Sequence, residues 1–260
     1  HNYGVLDTTG VIRKSSNVGA AMIAKRLGDR QFYEFMRRFG YGHSTGSGFP
    51  GEAAGTLAAP DRWDGTSKQT MSYGYALSVT PLQIAAAYAA LGNGGLLHQP
   101  SFVKDQHNAP RRVLDPKIAG EVLRMMQTVT EPGGTATQAA ILGYHVAGKT
   151  GTSRQAAAGG YSRRYTTLFA GLVPATNPRF ATVVVINDPQ GGAYYAGLVA
   201  APVFRAVMED TLRLMDVPPD DIETWLAAQA KGEAKRQAAL PPLPPPLEEE
   251  PYDAAIPAAM

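Results

Sequence analysis

Two short stretches hold the side chains that could do chemistry. "HVAGKTGTSR", residues 145–154, runs an apolar approach through Val146 and Ala147 into Lys149, Thr150, Gly151 and Thr152. A lysine at the end of a short strand, followed by two hydroxyls, offers a fixed cation and hydrogen-bond donors. The glycine between the hydroxyls lets a ligand backbone come close. That set suits a carboxylate and the edge of an extended peptide. "KSSN", residues 14–17, puts Ser15 and Asn17 just before a helical pattern. There Ser15 could relay a proton, while the Asn17 amide could hold a catalytic lysine and a substrate carbonyl. Each triplet also has a plain structural account: a lysine at a turn after an edge strand, and a side-chain oxygen capping a helix. Their order and context have to decide.

Composition narrows the field. The chain has no cysteine, which excludes disulfides and thiol catalysis. Its five histidines (His1, His43, His98, His107, His145) show no metal-ligand spacing, so neither a metal nor another cofactor is expected. The formal net charge is +2, yet residues 216–260 hold nine acidic and three basic side chains, which leaves a mildly basic body. Such a body suits an anionic substrate or surface. The lack of a dense Lys/Arg stripe with interleaved aromatics argues against nucleic acid. At 260 residues and 44% apolar the chain can bury one large core, and no run is long enough to span a bilayer. The opening "HNYGVLDTTGVIRKSSN" has neither a charged n-region nor an apolar h-region, and reads as the middle of a longer protein.

The elements that must position these residues fall into two halves. "SSNVGAAMIAKRLG" reads as a helix opened by a Ser/Asn cap and stopped by Gly28. "DRQFYEFMRRFG" follows, with Asp29 as cap, Phe32, Phe35, Met36 and Phe39 as a core stripe, and Gly40 as the stop. A Gly-rich irregular stretch leads to "SVTPLQIAAAYAALGNGG", a helix with Thr80 as cap and Pro81 in its first turn. "DPKIAGEVLRMMQTVT" repeats the design. The period then changes: "YHVAGKT", "TLFAGLVPA" and "RFATVVVIND" read as strands, with "TNPR" joining the last two in a hairpin. "AAPVFRAVMEDTLRLM" is an amphipathic helix for one face of the sheet. The expected fold is α/β, an antiparallel sheet with a helical half and a C-terminal helix. Residues 1–215 form the domain body. Residues 216–260, with nine of the twenty prolines, form a helical extension around Ile222–Ala239 and then a disordered acidic tail that could serve as a proline-rich docking ligand.

Ser-x-Asn at a helix start, followed more than a hundred residues later by Lys-Thr-Gly on a strand, is the second and third part of the set used by serine acyltransferases that react with penicillin. The strings "TGVIRKSSNVG", "YGYALSVTPLQIAAAYAALGNGG", "GYHVAGKTGT", "LFAGLVPATNPRFATVVVINDP" and "YYAGLVAAPVFRAVM" closely resemble the transpeptidase domain of class B penicillin-binding proteins. Within that family they are most similar to the septal, division-specific transpeptidase of Gram-negative bacteria, over about residues 4–218. The resemblance implies a serine β-lactamase-like fold, truncated at its N-terminal side, and cross-linking of peptidoglycan stem peptides ending in D-Ala-D-Ala. It implies that Ser15 relays a proton and that Asn17 orients the base lysine and the substrate amide. Lys149, Thr150 and Thr152 would then hold the terminal carboxylate, with Gly151 between them and the Thr152 N–H as half of an oxyanion hole. Arg154, Tyr161, Tyr165, Tyr194 and Tyr195 would build the rim of the cleft. β-Lactams would be covalent inhibitors of the complete domain. Division membrane proteins would be partners, and the location would be the periplasmic face of the inner membrane with the anchor outside this chain.

One departure matters. The family's nucleophile motif, Ser-x-x-Lys, should precede Ser-x-Asn, and the one literal match is "SFVK", Ser101–Lys104. It follows Pro100 in an extended segment where the serine and lysine would not share a face. The expectation is therefore two of three catalytic parts, and a chain inactive by itself. An inactive division scaffold, a D,D-carboxypeptidase and a β-lactamase are the alternatives. The last would need a deacylating carboxylate, for which Glu52 and Glu131 are the candidates. The loss of a central helix is also expected to leave apolar faces exposed.

Overall fold

The computed structural model describes residues 3–106, 108–157 and 160–239. Its first helix, α1 (Thr8–Lys14), starts at Asp7, whose carboxylate accepts from the Gly10 N–H, and ends at Ser15 in the left-handed region with φ 54°. Ser16 then caps α2 (Asn17–Lys25) by accepting from the Gly19 N–H at 3.1 Å. Of the Ser-Ser-Asn run expected to supply the cap, Ser16 does so, Ser15 is left free of it, and Asn17 is the first helical residue. In α3 (Asp29–Arg38) the cap is Gly28, and Asp29 instead pairs with Lys68 at 2.6 Å. The aromatic stripe is only partly core, since Phe32 is buried while Phe35 is 42% exposed.

Residues 41–80 are mostly irregular, with a strand pair β1 (Thr56–Leu57) and β2 (Leu77–Ser78) and a short helix α4 (Ser67–Met71). Helix α5 (Pro81–Gly92) carries a complete capping box between Thr80 and Gln83. The Gln83 amide, fully buried, also donates to His43 O and Ala54 O and so pins the irregular stretch. Strands β3 (Leu96–Leu97) and β4 (Arg111–Arg112) lead to α6 (Pro116–Gln127), where Asp115 caps the Lys117 N–H. Thr80-Pro81 and Asp115-Pro116 therefore open their helices as expected.

Among the described residues the sheet has three antiparallel strands, β5 (Ala147–Ala157), β6 (Gly160–Val173) and β7 (Phe180–Asn187), in that order. β5 is an edge strand. It does not end at the lysine: the ladder with β6 runs from Ala147 opposite Leu172 to Ala157 opposite Gly160. The polar second half of β5 is held as strand by its neighbour, not by its own pattern. Helix α7 (Ala196–Leu214) crosses the sheet and buries Phe204 edge-on against Phe169, ring centres 4.8 Å apart. Ala200, Ala201, Met208 and Leu212 complete that core. Burying side chains of this size stabilises by about 1.5–3 kcal/mol each before entropy is counted.

The link into α8 (Ile222–Ala239) is tied to the body by the Asp220 carboxylate, which accepts from His145 N–H and from the Thr176 N–H and hydroxyl. Among the described residues no helix is long and apolar enough to cross a membrane. The acidic proline-rich tail, residues 240–260, lies outside the described residues.

Candidate active site

The site forms where the α1–α2 junction meets the free edge of β5. Gly148 is obligatory there, because a Cβ would overlap the Phe169 ring and come within 2.9 Å of Ala170 O. That close approach seats β5 on β6 and sets the direction of Lys149, the next residue. Lys149 Nζ reaches across 134 residues of sequence to donate to Ser15 Oγ at 2.6 Å, and also donates to Thr150 O at 2.9 Å. Had Ser15 been the helix cap, its hydroxyl would have been spent on a backbone N–H.

The cleft around this pair holds about 440 Å³ and is lined by Ser15, Asn17, Lys149, Thr150, Gly151 and Thr152, among others. No carboxylate lines it among the described residues, and Lys149 is its one cation. Burial pushes the Lys149 amine down from 10.5 to about 8. At neutral pH it stays mostly an ammonium without a counter-ion, which is what a carboxylate-binding site requires.

The hydroxyls are placed by neighbours. Thr150 Oγ1 lies 2.9 Å from Thr135 Oγ1, and Thr152 Oγ1 accepts from the Ala196 N–H at the start of α7. The turn before Thr135 also holds α1: Lys14 donates to Gly133 O at 2.8 Å, and Arg13 to Pro132 O. One turn thus contacts both the helix that ends at Ser15 and the strand that carries Lys149.

Farther along β5, Arg154 sits directly opposite Tyr165 in the ladder, with its guanidinium 5.9 Å from that ring. Tyr165 stacks on Tyr194 at 4.2 Å, and Tyr194 packs on Tyr195 at 4.5 Å. Arg154, Tyr165, Tyr194 and Tyr195 therefore form one cluster farther along β5, and none of the four lines the cleft itself. Tyr161 lies on β6 opposite Ala156, and its side chain falls outside the described part of the structure.

Sequence reasoning missed Tyr73 and Tyr75, which line the cleft opposite β5. The signal that could have found them is a Tyr-Gly-Tyr turn around Gly74, whose φ of 98° favours glycine. Ser101 does not line the cleft. Its hydroxyl is exposed and turned back on its own loop, donating to Val103 O and accepting from the Val103 N–H. Glu52 is likewise committed elsewhere, accepting from Ser44, Thr45 and Ser47, which lowers its carboxyl to about 2. Glu131 lies in the exposed turn that receives Arg13 and Lys14.

Known proteins share this arrangement of chain. The family model described as penicillin-binding protein transpeptidase domain matches residues 1–209. The peptidoglycan D,D-transpeptidase FtsI of Escherichia coli strain K12 is 43% identical over 224 residues, covering 85% of this chain and 38% of the relative. The probable peptidoglycan D,D-transpeptidase PbpC of Pseudomonas aeruginosa is 38% identical over 84% of this chain and 39% of its own length. This chain thus spans about two fifths of the length of these curated relatives. Among solved structures, the apo TP domain of Burkholderia pseudomallei penicillin-binding protein 3 superposes with a TM-score of 0.79 at 39% identity, over 84% of this chain and 67% of that one. The chain belongs to the penicillin-binding protein transpeptidase domain family.

Proposed function

We propose that this chain supplies the carboxylate-binding side of a serine-type peptidoglycan D,D-transpeptidase that cross-links stem peptides in septal wall synthesis during cell division. The observation that carries the reading is the Lys149–Ser15 contact in a cleft with one cation and no carboxylate. In it the Lys149 ammonium, with the Thr150 and Thr152 hydroxyls, holds the terminal carboxylate of a D-Ala-D-Ala stem peptide. Gly151 leaves room for the peptide backbone along β5, and the Thr152 N–H faces the developing oxyanion. Ser15 passes a proton between Lys149 and the reacting groups, and the Asn17 amide orients the substrate. Arg154 and the tyrosines Tyr161, Tyr165, Tyr194 and Tyr195 form the rim farther along β5. A β-lactam carboxylate would be held by the same cation. The names of the relatives support this reading, which extends to the periplasmic face of the inner membrane and to division membrane proteins as partners. Residues 1–215 serve as the domain body and 216–260 as an extension.

For these 260 residues alone a second reading has its own support. The one Ser-x-x-Lys is Ser101–Lys104, and Ser101 is turned into its own loop. The nucleophile and its base would come from residues outside this sequence, and without them the chain is a binding scaffold. Exposure to a fluorescent penicillin tests both. The chain alone is expected to stay unlabelled, and covalent labelling lost on Ser101→Ala or Ser15→Ala would overturn the assignment.

A further inference from the structure

Helices α3, α5 and α6 leave a second concavity that shares no lining residue with the Lys149 cleft. It holds about 320 Å³, and its wall is mostly carbon: Phe35 and Met36 from α3, Phe39 just after it, Leu91 from α5, Ile118 and Val122 from α6. Phe35 and Ile118 stand at its rim, 42% and 48% exposed. Two polar groups interrupt the wall. Tyr41 and Tyr88 both line it, and neither hydroxyl has a hydrogen-bond partner among the described residues. Burial pushes the Tyr41 phenol up to about 12 and the Tyr88 phenol higher still, so both remain protonated donors. Both hydroxyls keep some contact with solvent, and as donors on a carbon wall they are open to an occupant that accepts from them. That occupant needs flat apolar surface and free carbonyls.

The chain's own end has that chemistry. Residues 240–247 read Leu-Pro-Pro-Leu-Pro-Pro-Pro-Leu, five prolines in eight positions. Proline fixes φ and favours the polyproline II form, in which carbonyls have no internal partner and the ordering cost on binding is low. Aromatic-lined grooves recognise such segments by packing the proline rings between aromatic side chains. Glu248, Glu249 and Glu250 follow at once. The two outer helices of the groove, α3 and α6, carry five basic and three acidic residues, and Asp29 is already paired with Lys68. Arg38, Lys117 and Arg124 have no ion pair among the described residues. Helix α8 ends at Ala239, so the first proline comes two residues after it.

We propose that residues 240–250 dock in the groove between α3, α5 and α6 of the same chain, prolines on the aromatic wall and glutamates toward the basic helices. The Tyr41 and Tyr88 hydroxyls donate to carbonyls of the segment.

The test puts a photoreactive p-benzoylphenylalanine in place of Phe35 in the full 260-residue chain and irradiates cells that express it. Trypsin releases residues 237–260 as one peptide, because no lysine or arginine follows Arg236. The expected product is that peptide joined to the α3 fragment, in a band of monomer size. Pro244, Pro245 and Pro246 all changed to Ala should cut the yield at least five-fold, and Tyr88→Phe about five-fold. The proline variant leaves the helices untouched, so its effect is separable from misfolding. No cross-link, a cross-link to another peptide, the tail peptide found only in a dimer-sized band, or an unchanged yield in the proline variant would each overturn the proposal.

Discussion

Binding of a peptide ending in D-Ala-D-Ala is expected to weaken as the pH rises through 8, because the cleft offers it one cation. Lys149 is held down from 10.5 to about 8 by burial, and no other charged side chain lines the cleft among the described residues. Only the ammonium attracts a carboxylate, so the affinity follows the charged fraction. With a pKa of about 8 that fraction is about nine tenths at pH 7 and about one tenth at pH 9. Kd should therefore rise about ten-fold over those two units, or ~1.4 kcal/mol of binding free energy. Linkage requires the converse, since a bound carboxylate raises the Lys149 pKa and binding takes up protons on the alkaline side. Calorimetric titration between pH 6.5 and 9.0 at fixed ionic strength reads both quantities, the proton uptake from two buffers of different ionisation enthalpy. Lys149→Gln should bind about ten-fold more weakly at pH 7 and lose the slope. A wild-type Kd constant within two-fold from pH 7 to pH 9, or a Gln variant that keeps the slope, refutes Lys149 as the carboxylate anchor.

Glu52 has a carboxyl lowered from 4.5 to about 2, first by the Thr45 hydroxyl, so its stabilising effect is complete above 4.5 and fades as the pH falls toward 2. Near the surface this amounts to no more than about 1 kcal/mol, and Glu52→Gln should abolish that acid limb in urea midpoints measured from pH 6 to pH 2.5. Gly197 is the second residue of α7, where helix propensity alone favours Ala. A Cβ there would overlap Thr135 O, so Gly197→Ala is instead expected to lower stability by about 1–3 kcal/mol, and a raised Tm would contradict the contact. Val18, Met22 and Ile23 on α2 are 71%, 64% and 44% exposed, a patch expected to bind ANS and drive association of the isolated chain. Val18→Lys with Met22→Glu should reduce both, whereas a sharp cooperative melt of the unmodified monomer would sink the idea.

Much of this fold was legible because its signals are local. Thr80-Pro81 and Asp115-Pro116 open α5 and α6 through hydrogen bonds made within three residues, and the β-branched runs of β6 and β7 flank a short connection. Where a partner far along the chain decides, the sequence was silent. Helix α1 reads Thr-Thr-Gly-Val-Ile-Arg-Lys, a poor helix former by propensity, and its last turn is held by carbonyls 119 residues away. The second half of β5 is polar and is held as strand by β6, with a register shift between Arg154 and Ala156. Tyr73 and Tyr75 reach the cleft, and Thr135 reaches the Thr150 hydroxyl, through turns whose geometry no spacing announces. The most instructive position is Ser15. A local rule gives the capping role to either serine before α2, and the chain gives it to Ser16, leaving Ser15 left-handed at φ 54°. A non-glycine residue pays about 1 kcal/mol for that conformation. The same conformation is what joins two helices without a spacer and leaves the Ser15 hydroxyl available to Lys149 at 2.6 Å. Local preference and the observed chain part company at the residue whose freedom the proposed chemistry needs, which is where strain that helps function is expected to collect.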